Sequence, residues 1–122
     1  MDLQDIQFTS NYWVILLPVI AMVGDFITGY LSAWIHHDIQ SSKMRVGAAH
    51  KGAELLALVL VWCVQLAIVL PVDVTAVMAI YLVFMEFNSI MENLDKMGVP
   101  VPAFFKKRVN NTLSQFDEKE DE

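Results

Sequence analysis

Residues 12–35 read YWVILLPVIAMVGDFITGYLSAWI, and this stretch decides the fold. At about 1.5 Å per residue, a helix over it is long enough to cross a hydrocarbon core roughly 30 Å thick. Aromatic residues stand at both of its ends, as they do at the two interfaces of a spanning helix. We do not expect a signal peptide, because no Lys or Arg precedes the stretch and it is too long for a typical signal-peptide core.

A second apolar run reads AELLALVLVWCVQLAIVL and ends at Pro71, which predicts a second membrane helix over residues 53–71. The segment before it is polar, and Ser41 or Ser42 could cap a helix that starts there and continues into this span. Cys63 lies within the run, where a single cysteine is expected to be a buried and unreactive thiol.

A third apolar run follows the very short connection 71–73, so the second and third helices should be antiparallel neighbours. Its apolar pattern continues at helical spacing, which predicts one helix over residues 74–96 that stops before Gly98. Of the 122 residues, 56% are hydrophobic, more than in most soluble domains. We therefore expect an all-α integral membrane protein with three transmembrane helices in one domain, residues 12–96.

The remaining residues, 97–122, are expected to form a cytoplasmic Pro-containing linker, a short amphipathic helix and an acidic tail. Phe105, Val109, Leu113 and Phe116 fall on one face of that helix. Such a face can lie on an anionic membrane surface or pack on a partner subunit, and the pattern favours neither.

The distribution of Lys and Arg predicts the orientation. None precedes the first span or lies in the connection 71–73, whereas both the first loop and the C-terminal segment are basic. Three crossings place these basic regions on one side, the cytoplasm, with residues 1–11 outside. If the third run were re-entrant, the basic first loop and the basic C-terminal segment would lie on opposite sides of the membrane. The basic residues expected at the membrane surface are Lys43, Arg45, Lys51, Lys106, Lys107 and Arg108.

Three polar residues lie within the predicted spans: Asp25, Gln65 and Glu86. A charged residue at the centre of a bilayer costs about 2.5–3.5 kcal/mol, so we expect Asp25 and Glu86 to face other protein or an aqueous lesion. Two roles stay open, namely polar contacts between helices and the lining of a pore.

Small residues on the first span, Gly24, Gly29 and Ala33, form a surface that lets another helix approach closely. Three helices of this length cannot enclose a wide water path. A pore would therefore need several copies of the chain.

No catalytic motif is present: the sequence has no Gly-rich phosphate loop, HExxH, CxxC or GxSxG. His36, His37 and Asp38 lack the spacing of a known metal site and are expected to be solvated at the membrane edge. The basic residues are too few for nucleic-acid binding. We therefore expect no enzyme activity, no cofactor, no metal and no nucleic-acid partner.

Four blocks carry a resemblance: DFITG at residues 25–29, SSK at 41–43, EFNSIMEN at 86–93 and GVPVP at 98–102. On these blocks the chain resembles the bacteriophage holin family, which includes the clostridial toxin-secretion holins. The resemblance covers roughly Val23 to Lys107.

The resemblance implies a protein that oligomerises with itself in the bacterial cytoplasmic membrane and forms large lesions. Endolysin, or a toxin in secretion systems, passes through these lesions, and the host cell lyses. The holin and the protein that it releases need not contact each other directly. It also implies that Asp25 and Glu86 lie at the assembly interface or lesion wall, that Gly29 allows close helix approach, and that Lys106, Lys107 and Arg108 hold the tail at the inner surface.

A second function fits the same spans, namely a non-lytic small membrane subunit of a transport or secretion complex. A selective ion channel would need a recognisable filter, and the sequence contains none.

Overall fold

The computed structural model of the chain describes residues 12–120, with side chains as far as Asp117. This part of the chain is all-helical, which confirms the predicted fold class. Its four helices are α1 (Trp13–Ile35), α2 (Ser41–Ala67), α3 (Val74–Lys96) and α4 (Ala103–Glu120). The predicted extracytoplasmic segment 1–11 and the end of the acidic tail lie outside the described residues.

Helices α1, α2 and α3 are each long and apolar enough to cross a membrane, as predicted. With 23 residues, α1 and α3 are each about 35 Å long, and the 27-residue α2 is about 40 Å long. Large apolar side chains such as Ile20, Leu60 and Leu66 are exposed on their outer faces. Lipid is the solvent in which such a surface is stable.

Helix α2 is longer than the predicted span over residues 53–71, and its start agrees with the helix expected to begin at Ser41 or Ser42 and to continue into that span. It begins at Ser41, because the polar segment before the apolar run contains no proline and continues the same helix. It ends at Ala67, where Ile68 turns to an extended conformation before Pro71. Neither candidate serine caps α2: Gln40 occupies the N-cap position, and its side chain makes no capping hydrogen bond.

Helices α1 and α3 end in the same backbone motif. After α3, Gly98 has φ +78°, and the N–H groups of Gly98 and Val99 donate to Asp95 and Leu94. This Schellman motif favours glycine, whose left-handed conformation carries no Cβ penalty. After α1, His37 takes the corresponding position with φ 55°. The stop predicted at Gly98 is therefore a defined helix end.

The short connection after α2 makes α2 antiparallel to α3, as expected, and places α1 parallel to α3. The contact between α1 and α3 is the most extensive among the four helices. Buried apolar residues join all three helices into one core cluster; these are Val14, Met22, Leu58, Ala79 and Leu82. Leu58 is the only buried residue of α2, a helix that the structure describes throughout. Cys63, predicted to be buried, is exposed on the outer face of α2.

The apolar face of α4 packs on α3 of the same chain. Val109 and Phe116 are buried, and the ring of Phe116 lies 5.4 Å from that of Tyr81 between centroids. Phe105, predicted to share this face, stays 42% exposed. The sequence left this face to either a membrane surface or a partner subunit, whereas in the structure α3 of the same chain covers it.

Two of the predicted packing residues on α1 face α3. A Cβ atom added at Gly24 would lie 3.2 Å from Cδ1 of Ile90, and one added at Gly29 would lie 3.6 Å from Nδ2 of Asn93. The first distance is tighter than most carbon contacts. The end of the Ile90 side chain therefore packs directly on Gly24 and would have to shift to accept a side chain there.

Substitution Gly24→Leu should lower the thermal unfolding midpoint in detergent micelles, measured by circular dichroism. Overpacking of this kind costs about 1–3 kcal/mol because Ile90 and the side chains around it must shift. The matched control is Gly52→Leu, since nothing lies within 4 Å of a Cβ at Gly52. Equal midpoints for the two variants would contradict the close contact at Gly24.

Candidate functional site

Lys51 lies between the two carboxylates predicted to be buried in the membrane. Its Nζ donates to Oδ2 of Asp25 at 2.6 Å and to Oε2 of Glu86 at 2.7 Å. The side chains of Lys51, Asp25 and Glu86 are 20%, 12% and 6% exposed. One lysine on α2 thus joins an acid on α1 to an acid on α3.

These three charged groups lie at one level of the bundle. Asp25 is about 15 Å along α1 from the helix end, Lys51 is about 15 Å along α2 from the helix start, and Glu86 is about 15 Å along α3 from the helix end. Those three helix ends lie on the same side because α2 runs antiparallel to the other two.

Asn93 extends the group along the contact between α1 and α3. Its Nδ2 donates to Oδ1 of Asp25 at 3.0 Å and to Oγ1 of Thr28 at 3.0 Å. The Thr28 hydroxyl in turn donates to the backbone carbonyl of Gly24 at 2.9 Å. We call Asp25, Thr28, Lys51, Glu86 and Asn93 the polar cluster.

The charges in the polar cluster are unequal, because a single lysine faces two carboxylates. With all three groups ionised, the cluster carries one net negative charge. Charge-assisted hydrogen bonds offset much of the cost of burying such groups, but removal of Lys51 would leave two carboxylates facing each other without a cation. The arrangement is therefore stable only while its three helices stay together.

Gln65, the third polar residue predicted within the spans, lies apart from the polar cluster. Its Nε2 donates to Oδ1 of Asp73 at 2.9 Å, and its Oε1 accepts hydrogen bonds from the backbone N–H and hydroxyl of Thr75. Asp73 also caps α3 by accepting from the N–H of Ala76. Gln65 thus holds the connection between α2 and α3 at the opposite end of the bundle.

The six basic residues predicted at the membrane surface have different surroundings in the structure. Lys51 is corrected from a surface residue of the first loop to a member of the polar cluster, because α2 begins at Ser41 and carries it into the bundle. Lys106 pairs with Asp95 at 2.7 Å. The other four predicted surface residues are exposed: Lys43, Arg45, Lys107 and Arg108.

Three members of the polar cluster were not expected from the sequence, namely Lys51, Thr28 and Asn93. A usable signal was present for Asn93, because Glu86, Ile90 and Asn93 are spaced four and three residues apart and share one helical face. Among the side chains of residues 12–117, no three His, Cys, Asp or Glu groups lie close enough to hold a metal ion. The site is therefore built from hydrogen bonds and charge.

Comparison with known proteins supports the resemblance seen in the sequence blocks. Residues 6–114 match the bacteriophage holin family. A protein named "probable holin" from Bacillus phage phi105 is 26% identical over 103 residues, which cover 84% of this chain and 76% of the relative. No solved structure matches significantly.

The family match covers most of the chain, including all three spans and the start of α4. Holins are membrane-pore proteins, not enzymes, and they oligomerise in membranes. Together with the three long apolar helices, this makes the protein a multi-pass protein of the bacterial cytoplasmic membrane. The chain belongs to the bacteriophage holin family.

Proposed function

We propose that this holin accumulates in the cytoplasmic membrane of the host and then assembles into lesions through which a cell-wall hydrolase, or a toxin in a secretion system, leaves the cell. Lysis follows when the hydrolase reaches the cell wall. The observation that carries the proposal is the family match over residues 6–114. The three candidate spans support it, because a lesion-forming protein must reside in the bilayer.

The polar cluster supports a two-state mechanism. Within one chain, Lys51 binds both Asp25 and Glu86, so a single copy can remain in lipid with its charges paired. With both acids ionised, the excess negative charge favours water over hydrocarbon. In a large assembly, α2 would separate from the other two helices, and the charged groups would line the water-filled lesion.

Weak attachment of α2 favours this separation over any rearrangement between α1 and α3. Leu58 is the only residue of α2 that is buried, and most of the helix surface is apolar and exposed. Three helices cannot enclose a path wide enough for a folded enzyme. We therefore infer that exposed faces of α2 contact further copies of the chain as the lesion grows.

Induction of this protein alone in bacteria should stop growth abruptly and release a folded cytoplasmic reporter enzyme into the wall space. The physical reason is that a large lesion passes folded protein, whereas a narrow pore passes only ions. Growth curves and reporter activity in the wall fraction measure the outcome. Harmless accumulation in the membrane would contradict the proposal and favour a non-lytic subunit of a larger complex.

Substitution Glu86→Leu should delay or block lysis at equal membrane levels. It leaves Lys51 paired with Asp25, so the cluster becomes neutral. Loss of one charge in the membrane lowers the cost of keeping the cluster in lipid by about 2.5–3.5 kcal/mol, so the gain in free energy on exposure to water falls by the same amount. The matched control is Glu92→Leu, an exposed acid on the same helix. Lysis onset is read from culture turbidity, with protein levels from membrane immunoblots. Identical onset in both variants would count against a role for the polar cluster.

The proposed orientation places the N-terminus outside and both basic regions in the cytoplasm. In a Cys63→Ser background, a membrane-impermeant maleimide should label Val69→Cys in intact spheroplasts and Ser42→Cys only after permeabilisation. Val69 is 100% exposed between α2 and α3, and Ser42 is exposed at the start of α2. Labelling of Ser42→Cys from outside would reverse the topology.

A further inference from the structure

A cavity of about 460 Å³ opens at the end of the bundle that carries the basic loop. Its walls come from the second half of α1, the connection to α2, the first half of α2 and the end of α3. It reaches from Gln40 at the helix ends to Lys51 and Asp25 in the polar cluster. The cavity is thus elongated along the bundle and has the volume of a typical small-molecule site.

The mouth of the cavity is basic. Lys43 from the first turn of α2 and Lys96 from the end of α3 line it, and neither forms an ion pair within the described residues. Asp38 also lines the mouth and keeps its negative charge, although it accepts a hydrogen bond from Gln40, so Lys43, Lys96 and Asp38 together leave one net positive charge there. Asp25 is already bound to Lys51. Two lysines from different helices therefore remain free to bind an anion.

The start of α2 adds to this positive field. Gln40 and Lys43 line the cavity, so the first turn of the helix forms part of its wall. The side chain of Gln40 does not cap the helix. The unpaired N–H groups of a helix N-terminus carry a partial positive charge and bind phosphate groups well.

An apolar wall continues from this basic mouth. Phe26 and Tyr30 of α1 line the cavity and are 38% and 44% exposed. Both lie on a membrane span, so in a bilayer they contact acyl chains. A ligand that fits both parts has a phosphate at one end and hydrocarbon at the other.

We propose that this cavity binds the headgroup of an anionic phospholipid, with the phosphate held between Lys43 and Lys96 and the acyl chains lying along Phe26 and Tyr30. Basic cavities between membrane helices on the cytoplasmic side commonly bind anionic headgroups. The inference concerns lipid binding alone and does not depend on the proposed role in lysis.

The test uses the full chain in detergent micelles and measures binding of added dioleoylphosphatidylglycerol by native mass spectrometry. The double variant Lys43→Gln, Lys96→Gln should bind this lipid about tenfold or more weakly than the unaltered chain. The matched control, Lys107→Gln with Arg108→Gln, removes the same charge from exposed positions on α4 and should bind as before. Circular dichroism should show the same helix content in all three proteins.

Each other outcome overturns the proposal. Equal binding by the cavity variant and the unaltered chain would exclude the site, and an equal loss in the control would show non-specific attraction between net charges. Glycerol 3-phosphate serves as the water-soluble competitor. Displacement of the lipid by this compound at comparable concentration would show a site for free phosphate without the acyl-chain contacts. Equal binding of dioleoylphosphatidylcholine would show that anionic charge is not recognised.

Discussion

The pairing of Lys51 with Asp25 and Glu86 is the interaction on which the rest of the structure depends. Hydrocarbon offers no water to solvate a charge, so each of these groups needs a protein partner at its own depth. That requirement fixes the register of all three spans at once, because a shift of one turn would move a charge about 5.4 Å from its partners. The same bonds assign one face of each helix to the interior.

The three spans are not held equally. Close approach at Gly24, together with the hydrogen bonds of Asn93, joins α1 to α3 over a long contact. In contrast, α2 is attached at three levels: by Lys51 in its first half, by Leu58 in its second half and by Gln65 near its end. The molecule is therefore a tightly packed helix pair with a third helix that can be released by breaking few interactions.

Hydropathy and helix stop signals predicted the three spans, and for α3 they gave the observed bounds, because long apolar runs and glycine with proline are local signals. The pattern also singled out Asp25 and Glu86, since an acid within such a run is unusual. A helix that starts near Ser41 and continues into the second span was anticipated from the sequence, and α2 has this start. The polar character of its first turns nevertheless placed Lys51 with the surface residues of the first loop. The partner of α4 depends on tertiary packing, which the periodicity of one helix does not encode.

Pairing between separate spans also has a consequence for how the chain enters the bilayer during synthesis. Asp25 emerges from the ribosome before Lys51, and Glu86 emerges last. The first span, inserted by itself, carries an uncompensated acid at a cost of about 2.5–3.5 kcal/mol, which the arrival of the second span offsets. Partition into lipid as a helical hairpin is thus favoured over entry one helix at a time. When only the first two spans are in the bilayer, Asp25 and Lys51 form a neutral pair. The third span then adds the negative charge of Glu86.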